Sequence, residues 1–276
     1  KNNLMYVFEN NKLKKILLNE IKKKKIKITR KKIEDLNELR NYDLIILCLG
    51  GSSQIYDKII NSRSIRKNYN EVAVTGHVKH NINGIKTSQY FLKEGPLAIL
   101  PFSKNHFSFV WSLDKNYYQN NAKIIRNLIK NKIQNLLSLK NNIQIKNIQN
   151  YPIKMKLQSK YHKKNILILG EGLHTIHPVA GQGFNLALRD IKKLKEILTY
   201  YSRLGISINN SYALEDFSNY RKPENIIMGL GIDATHRFFK QNKYLDPMKK
   251  IILRSIIKND IVKKLSKIIS NQGLSF

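Results

Sequence analysis

Residues 170–190, GEGLHTIHPVAGQGFNLALRD, place glycine, proline and histidine between two contrasting apolar patterns. The run NILILG at 165–170 is short, continuous and apolar, which is typical of a buried parallel strand. After the glycines, apolar residues recur at helical spacing: Phe184, Ala187, Leu188, Ile191, Leu194 and Leu198. This order of strand, loop and helix places the start of a helix at the carboxyl edge of a parallel sheet, where α/β proteins bind ligands.

The predicted helix begins near Gly181, so several backbone N–H groups face this edge. A helix start carries about half a positive charge and favours an anionic or electron-rich group. Gly181 and Gly183 let the backbone approach a ligand closely, and Gln182 and Asn185 add polar contacts. The residues alone therefore predict a flat, polar, partly negative ligand.

Two other interpretations of this stretch fit less well. GEGLHT begins like the Rossmann fingerprint, but Thr175 stands at the third glycine and Pro178 delays the helix. His174 and His177 lie three residues apart, but no carboxylate or third histidine accompanies them at ligand spacing. We therefore expect no metal site here, and two loop histidines with local hydrogen bonds.

The rest of the chain alternates between α/β segments and a β-rich middle. DLIILCLGG at 43–51 predicts a second buried parallel strand. Four strand patterns between 71 and 113, separated by turn residues, predict an antiparallel lobe. Helical spacing returns at 121–138, followed by a strand around YPIKMKL, and 211–271 predicts helix interrupted at Pro223 and around Asp246-Pro247.

The amino-acid composition limits the kinds of partner that this protein is expected to bind. The net charge of +31 comes mainly from Lys, which is abundant together with Asn and Ile along the whole chain. Because this composition is typical of AT-rich genomes, we predict no nucleic-acid partner. Cys48 is the single cysteine, which excludes a disulfide framework and indicates the cytoplasm. The segment MKKIILRSIIKNDIVKKLSKII has an amphipathic pattern that fits either a core-packed helix or a peripheral contact with the inner face of the membrane.

Residues 170–190 resemble the second flavin-binding motif of the class A flavoprotein monooxygenases, and most closely that of the ubiquinone-biosynthesis hydroxylases, which read HPxxGQGxNxGxxD. EGPLAILPF and HFSFVW are similar to the central-sheet strands of those hydroxylases, and LEDFSNYRKPEN resembles their C-terminal helix. The resemblance implies an α/β fold: an FAD-binding domain of the Rossmann-like, para-hydroxybenzoate hydroxylase type, an antiparallel β-sheet substrate lobe and C-terminal helices. No GxGxxG occurs in the chain, so we expect this domain to lack its first βαβ unit.

The expected domains are a partial FAD-binding domain at 1–65, the β-sheet substrate domain at 66–160, the second flavin motif at 161–210 and a helical segment at 211–276. The resemblance implies extended FAD, with the GQG segment against the pyrimidine side of the isoalloxazine. The cofactor-binding residues implied are Gly170, Glu171, Pro178, Ala180, Gly181, Gln182, Gly183, Phe184 and Asn185. Leu97, Ile99 and Pro101 are candidates for the substrate wall, with a plain core role equally open, and no catalytic acid or base is named.

The activity implied is hydroxylation of a polyprenylated phenol in ubiquinone biosynthesis, with NAD(P)H as electron donor. This chain departs from the family where Leu49 replaces an aspartate, Tyr56 an arginine and Glu171 an aspartate. Because leucine cannot accept a hydrogen bond, a protein electron donor stays open. The alternatives are a catalytically inactive accessory subunit of the ubiquinone pathway, working in a complex, or another flavin-dependent oxidoreductase.

Overall fold

The computed structural model describes residues 7–33, 36–51, 53, 55–60, 64–139 and 143–240. The chain divides into two compact units, the first formed by Lys1–Arg40 and Asn70–Pro152, the second by Asn41–Tyr69 and Ile153–Phe276. The second unit is thus assembled from two separate stretches of sequence. The four domains expected from the sequence stay a prediction.

The regular elements follow one another in this order: α1 (Asn10–Lys23), β1 (Ile45–Leu47), α2 (Ile55–Ile60), β2 (Ser64–Lys79), β3 (Ser88–Leu92), β4 (Gly95–Ser103), β5 (His106–Asp114), α3 (Lys115–Asn120), α4 (Ile125–Leu136), β6 (Gln144–Gln158), β7 (His162–Lys163), β8 (Ile166–Ile168), β9 (His174–Thr175), α5 (Gly183–Arg203) and α6 (Ser211–Phe239). Short 3-10 turns lie at Leu36–Leu39, Ala122–Ile124, Gly170–Gly172 and Pro178–Ala180. The amphipathic segment at 248–269 and the break expected at Asp246-Pro247 lie outside the described residues.

The first unit contains an antiparallel sheet in which β3, β4, β5 and β2 pair in that order. Alternate residues of these strands face one core, where Leu97, Ile99 and Trp111 are almost completely buried. The helix α4 covers the same core with isoleucines at spacings of four, Ile129 and Ile133 among them. The antiparallel lobe predicted from the strand patterns is confirmed.

The second unit contains a three-stranded sheet in which β1 pairs with β8 in parallel and β8 pairs with β7 antiparallel. The two parallel strands predicted from apolar runs are therefore present, but each is only three residues long. Leu47 and Ile168 are buried, whereas Ile46 is 41% exposed. The carboxyl ends of β1 and β8 lie side by side and lead into glycine-containing turns.

The helix α6 runs through Pro223 without a break, so the interruption expected there is wrong. Proline lacks an N–H donor and normally weakens a helix interior by about 3 kcal/mol. Here Arg221 and Glu224, one on each side of Pro223, are buried and joined by an ion pair. Arg221 also pairs with Asp190 on α5, and tertiary contacts such as this one override the local preference of proline. No described helix has the length and apolar character needed to cross a membrane.

A histidine on β7 makes the stability of this unit depend on pH. His162 Nδ1 lies 3.0 Å from Ser218 Oγ on α6. Because the Ser218 hydroxyl donates to the Leu214 carbonyl, His162 is the donor in this contact. Burial lowers the pKa of His162 below its usual value, and Glu215 offsets only part of this effect.

The neutral form of His162 is therefore favoured in the folded state, so its contribution to stability is present above the unfolded pKa and is lost as pH falls through the folded pKa. We expect the free energy of unfolding to fall between pH 7.5 and 5.5, and to fall less in His162→Gln. A residual dependence is expected because burial also lowers the pKa of His80. Denaturant titrations at the two pH values test this, with exposed His77→Gln as the control. An unchanged pH dependence in His162→Gln would contradict the assignment.

Candidate functional site

The stretch between β8 and α5 forms a series of tight turns. Gly170 adopts φ +69°, a left-handed conformation that favours glycine, and opens the first 3-10 turn. The second 3-10 turn begins at Pro178 and is capped by His177, whose Nδ1 accepts a hydrogen bond of 3.1 Å from the Val179 N–H. Gly181, at φ +59°, ends this turn. The chain is thereby turned into α5 within a few residues.

The N-cap side chain at the start of α5 leaves the backbone N–H groups of the first turn uncapped. Gln182 is the N-cap, but its side chain accepts no hydrogen bond from the backbone of the first turn. Its amide oxygen instead accepts from Asn185 Nδ2 at 3.2 Å, while its carbonyl accepts from the Leu186 N–H. The helix continues for 21 residues, so the partial positive charge at its start is fully developed.

The surroundings of this helix start suit a flat ligand. A side chain added at Gly181 would meet nothing within 4 Å, and one at Gly183 would meet only the Ile176 side chain at 3.8 Å. Phe184, the next residue, is 48% exposed. Open space beside these glycines, at the positive end of a helix, fits the electron-rich pyrimidine edge of an isoalloxazine ring.

The remaining predicted cofactor residues lie on the same stretch. The Glu171 side chain is exposed in the first 3-10 turn, and its carbonyl accepts from Thr175 Oγ1 at 3.1 Å. Pro178 and Ala180 are the first and last residues of the second 3-10 turn. All nine cofactor residues thus lie between the end of β8 and the first turn of α5, and their contacts with FAD stay a prediction.

The substrate candidates lie in the first unit. Leu97 and Ile99 are fully buried in the apolar core that α4 covers, and Pro101 is half-buried on the same strand. These positions favour the core role for Leu97 and Ile99. A substrate contact for any of the three stays a prediction.

The Tyr56 side chain packs against the 3-10 turn at Gly170–Gly172. Its ring is fully buried, and its hydroxyl accepts a hydrogen bond of 2.6 Å from the Leu49 N–H at the end of β1. A side chain added at Gly172 would lie 2.6 Å from both Tyr56 and Ile168, so glycine is required there by close packing. Tyr56 therefore ties the turn after β1 to the turn after β8.

Removing this hydroxyl tests its contribution. We expect Tyr56→Phe to lower the free energy of unfolding by about 1 kcal/mol, because one intramolecular hydrogen bond is lost while the ring keeps its packing. Tyr42→Phe is a suitable control, since that side chain is 61% exposed. Equal stability of the two variants in urea titrations would show that the Tyr56 hydroxyl contributes nothing.

A buried polar network, which the sequence did not predict, lies behind the helix start. Asp190 is fully buried on α5, and its carboxylate accepts a hydrogen bond from His174 Nε2 at 2.6 Å. The other carboxylate oxygen accepts from Arg221 Nε at 2.7 Å and from Asn225 Nδ2 at 3.1 Å. The bond between His174 and Asp190 spans 16 residues and closes the whole loop that precedes α5.

The network continues along α6. Arg221 also pairs with Glu224 and donates to Asn225 Oδ1 at 3.0 Å. Asn225 in turn donates to the Tyr161 hydroxyl at 3.1 Å, and burial raises the pKa of Tyr161, which therefore stays neutral. The only signal in the sequence was the charged character of Asp190 and of the RKPEN segment, which linear spacing could not bring together.

The two motif histidines have separate partners. His174 is bound to Asp190, whereas the His177 ring lies 4.1 Å from that of His236 and 4.9 Å from that of Tyr69, measured between ring centroids. Both histidines are almost completely buried. The expected local hydrogen bond is confirmed for His177, because its Nδ1 accepts from the Val179 N–H.

A parallel sheet edge, glycine turns and an exposed helix start define the second unit as an α/β cofactor-binding fold. Residues 43–203 match the family model described as FAD binding domain. The match covers more than half of the chain, so the chain belongs to this FAD-binding family, and the FAD predicted from the motif is the cofactor of that family.

The curated relatives include enzymes whose names refer to ubiquinone or ubiquinol. The chain is 25% identical over 255 residues to the ubiquinone biosynthesis monooxygenase COQ6 of Dictyostelium discoideum, covering 75% of this chain and 51% of that protein. It is 28% identical over 173 residues to the 3-demethoxyubiquinol 3-hydroxylase of Escherichia coli, covering 60% of this chain and 42% of that protein. The chain thus spans about half the length of these relatives.

The fold also has a solved counterpart. The p-nitrophenol 4-monooxygenase PnpA of Pseudomonas putida superimposes with a TM-score of 0.66 at 13% identity, covering 83% of this chain and 60% of that one. At this identity the likeness shows the fold alone. It agrees with the α/β fold of the para-hydroxybenzoate hydroxylase type expected from the sequence.

Proposed function

We propose that this chain is the part of an FAD-dependent monooxygenase that holds the flavin ring, and that the whole protein hydroxylates a polyprenylated phenol in ubiquinone biosynthesis. The observation that carries the proposal is the start of α5, where the N-cap Gln182 and the first helical residue Gly183 place backbone N–H groups at the edge of a parallel sheet, beside the open Gly181. The names of the two ubiquinone-pathway relatives support the substrate class.

The residues would divide the work of holding the cofactor. Backbone N–H groups at Gly183 and its neighbours would bind the electron-rich edge of the ring, and the positive end of α5 would favour negative charge there. The carboxylate of Glu171, exposed beyond Gly170, would accept a hydrogen bond from a ribityl hydroxyl. Bound FAD would supply electron transfer and the insertion of one oxygen atom into the aromatic ring.

Two glycines offer a matched test of the site. Gly181 and Gly205 have φ values of +59° and +71°, and a side chain at either would meet nothing within 4 Å. We expect both alanine variants to lose about 1 kcal/mol of stability, because each forces a left-handed alanine. Only Gly181→Ala should weaken FAD binding, by about tenfold or more, because only Gly181 faces the proposed ring.

The experiment uses the full-length gene product that contains this chain. Its flavin absorbance and FAD dissociation constant are measured in both variants, followed by conversion of a prenylated phenol under ¹⁸O₂ with NADPH. Flavin binding that is lost only in Gly181→Ala, together with ¹⁸O in the product, supports the proposal. Equal FAD affinity in the two variants would place the ring elsewhere, and bound flavin without product would exclude the hydroxylase.

An inactive accessory subunit of the ubiquinone pathway is the second candidate. The observation that favours it is the end of β1, where Leu49 is 47% exposed and the Tyr56 side chain is buried beneath Gly172. Neither side chain offers a charge to a pyridine nucleotide there. A full-length protein that contains no flavin would favour this candidate, whereas flavin that NADPH fails to reduce would indicate a protein electron donor.

A further inference from the structure

The first unit carries a stretch without acidic residues. Residues 115–152 contain seven Lys and Arg residues and no Asp or Glu, although the whole chain has 50 basic and 19 acidic residues. This stretch forms α3, α4 and the first part of β6. Positive charge there is therefore not neutralised by neighbours in sequence.

A groove of about 380 Å³ lies within this stretch, between α4 and the start of β6. Its volume falls near the lower end of small-molecule sites, which occupy on the order of 300 to 1,000 Å³. The cations Arg126, Lys130 and Lys146 line it together with the amides of Asn127 and Gln144. Its walls thus combine three positive charges and neutral hydrogen-bond donors with the isoleucines Ile143 and Ile145.

One of these cations is fixed in place. Arg126 Nη1 donates to the Ile145 carbonyl at 2.6 Å, which holds the planar guanidinium at the groove and leaves its other N–H groups for a ligand. Lys130 follows one helical turn later, and Lys146 is the next residue after Ile145. Among the residues that the structure describes, none of the three cations forms a salt bridge.

A neighbouring lysine, unlike the groove cations, has an acidic partner among the described residues. Lys132 lies two residues beyond Lys130 but pairs with Glu94 at 2.6 Å. The groove cations have no such partner within the described ranges, and their mutual repulsion is relieved by a bound anion. A phosphate group suits them best, because it carries up to two negative charges and three strong acceptor oxygens for a guanidinium and two ammonium groups.

We propose that this groove binds a phosphate group, which belongs either to a soluble phosphate ester or to the headgroup of an anionic phospholipid. Arg126 contacts two phosphate oxygens through its planar N–H groups, while Lys130 and Lys146 neutralise the charge. The site lies in the first unit and does not depend on the proposed flavin function.

The test compares two charge-matched double variants of the full-length protein. Lys130→Gln with Lys146→Gln removes two groove cations but keeps the contact between Arg126 and Ile145. Lys163→Gln with Lys164→Gln removes the same charge from two exposed positions of the second unit. Titration calorimetry with inorganic phosphate and sedimentation with phosphatidylcholine vesicles, with and without phosphatidylglycerol, measure binding. Unfolding midpoints confirm that both variants fold.

We expect the groove variant to bind about tenfold more weakly and the control to change less than twofold. Binding of inorganic phosphate alone supports a soluble ester, whereas binding only to vesicles that contain phosphatidylglycerol supports a lipid headgroup. Equal weakening of the two variants would show that binding reflects overall charge and would overturn the proposal. Absence of binding to either ligand by the unmodified protein overturns it as well. Should the double variant fail to fold, Lys146→Gln alone against Lys164→Gln gives the same comparison.

Discussion

Replacing Arg221 by Met is expected to lower the free energy of unfolding by about 3 to 5 kcal/mol, the range typical of a broken buried ion pair. Arg221 is 2% exposed and contacts both Asp190 and Glu224. Methionine fills a similar volume but leaves both carboxylates without their main cation. Because native proteins have only about 5 to 15 kcal/mol of stability, this single change would remove a large part of it.

The two carboxylates are not equally affected. Arg189 Nη1 lies 3.6 Å from Glu224, so part of the charge at Glu224 keeps a partner. Asp190 is fully buried and, within the part of the chain that the structure describes, retains hydrogen bonds from His174 and Asn225 alone. Most of the expected cost therefore comes from the desolvated Asp190 carboxylate.

Denaturant unfolding followed by circular dichroism measures this effect. Arg237→Met is the matched control on the same helix, because Arg237 is 68% exposed in its pair with Asp233 and such surface pairs contribute about 0 to 1 kcal/mol. A loss at Arg221 no larger than that at Arg237 would show that the network does not stabilise the fold.

Gln182→Glu is expected to lower the two-electron reduction potential of bound flavin by about 30 to 60 mV while leaving the fold intact. Such a shift equals about 1.4 to 2.8 kcal/mol, or a tenfold to hundredfold change in the reduction equilibrium. Gln182 is the N-cap of α5, where an added carboxylate faces the electron-rich edge of the proposed ring. Its negative charge opposes the charge that develops when the ring is reduced.

The same substitution distinguishes an electrostatic effect on the flavin reduction potential from an effect on the stability of the fold. An acidic residue at a helix start is favourable by about 0.3 to 1 kcal/mol, so the unfolding midpoint should stay the same or rise. Gln119→Glu on α3 adds the same charge at an exposed position of the first unit and should leave the potential unchanged. Spectroelectrochemical titration of the full-length protein measures the reduction potential of the flavin in the two variants. An unaltered potential in Gln182→Glu would mean that the ring does not lie at this helix start.

Local sequence patterns were sufficient to predict the strands and helices whose burial follows from the spacing of apolar residues along the chain. The apolar runs before Gly50 and Gly170 predicted the parallel pair β1 and β8, because buried parallel strands are continuously apolar, although the exposed Ile46 shows that β1 is buried on one face only. The isoleucines of α4 predicted a helix that covers a core. The motif itself predicted the turn into α5, because its glycines at 181 and 183 suit a tight entry.

The same reasoning failed where distant segments decide the outcome. Pro223 predicted a break, but α6 is continuous through it, and Arg221 beside this proline is bound to Asp190 on α5. Leu97 and Ile99 could line a substrate wall or a core from their alternation alone, and only the placement of α4 favours the core. Tyr56 stands where the family has an arginine, whereas in the fold its hydroxyl accepts from the Leu49 N–H and its ring packs against Gly172.

The sequence by itself determined the family, the cofactor and the helix start that would hold it, because these depend on glycines and apolar residues at short spacing. Only the tertiary structure revealed that Asp190 on α5 is neutralised by Arg221 on α6, 31 residues away. The physical reason is that a buried charge must find its partner in space, and the partner's distance along the chain is not constrained by local periodicity.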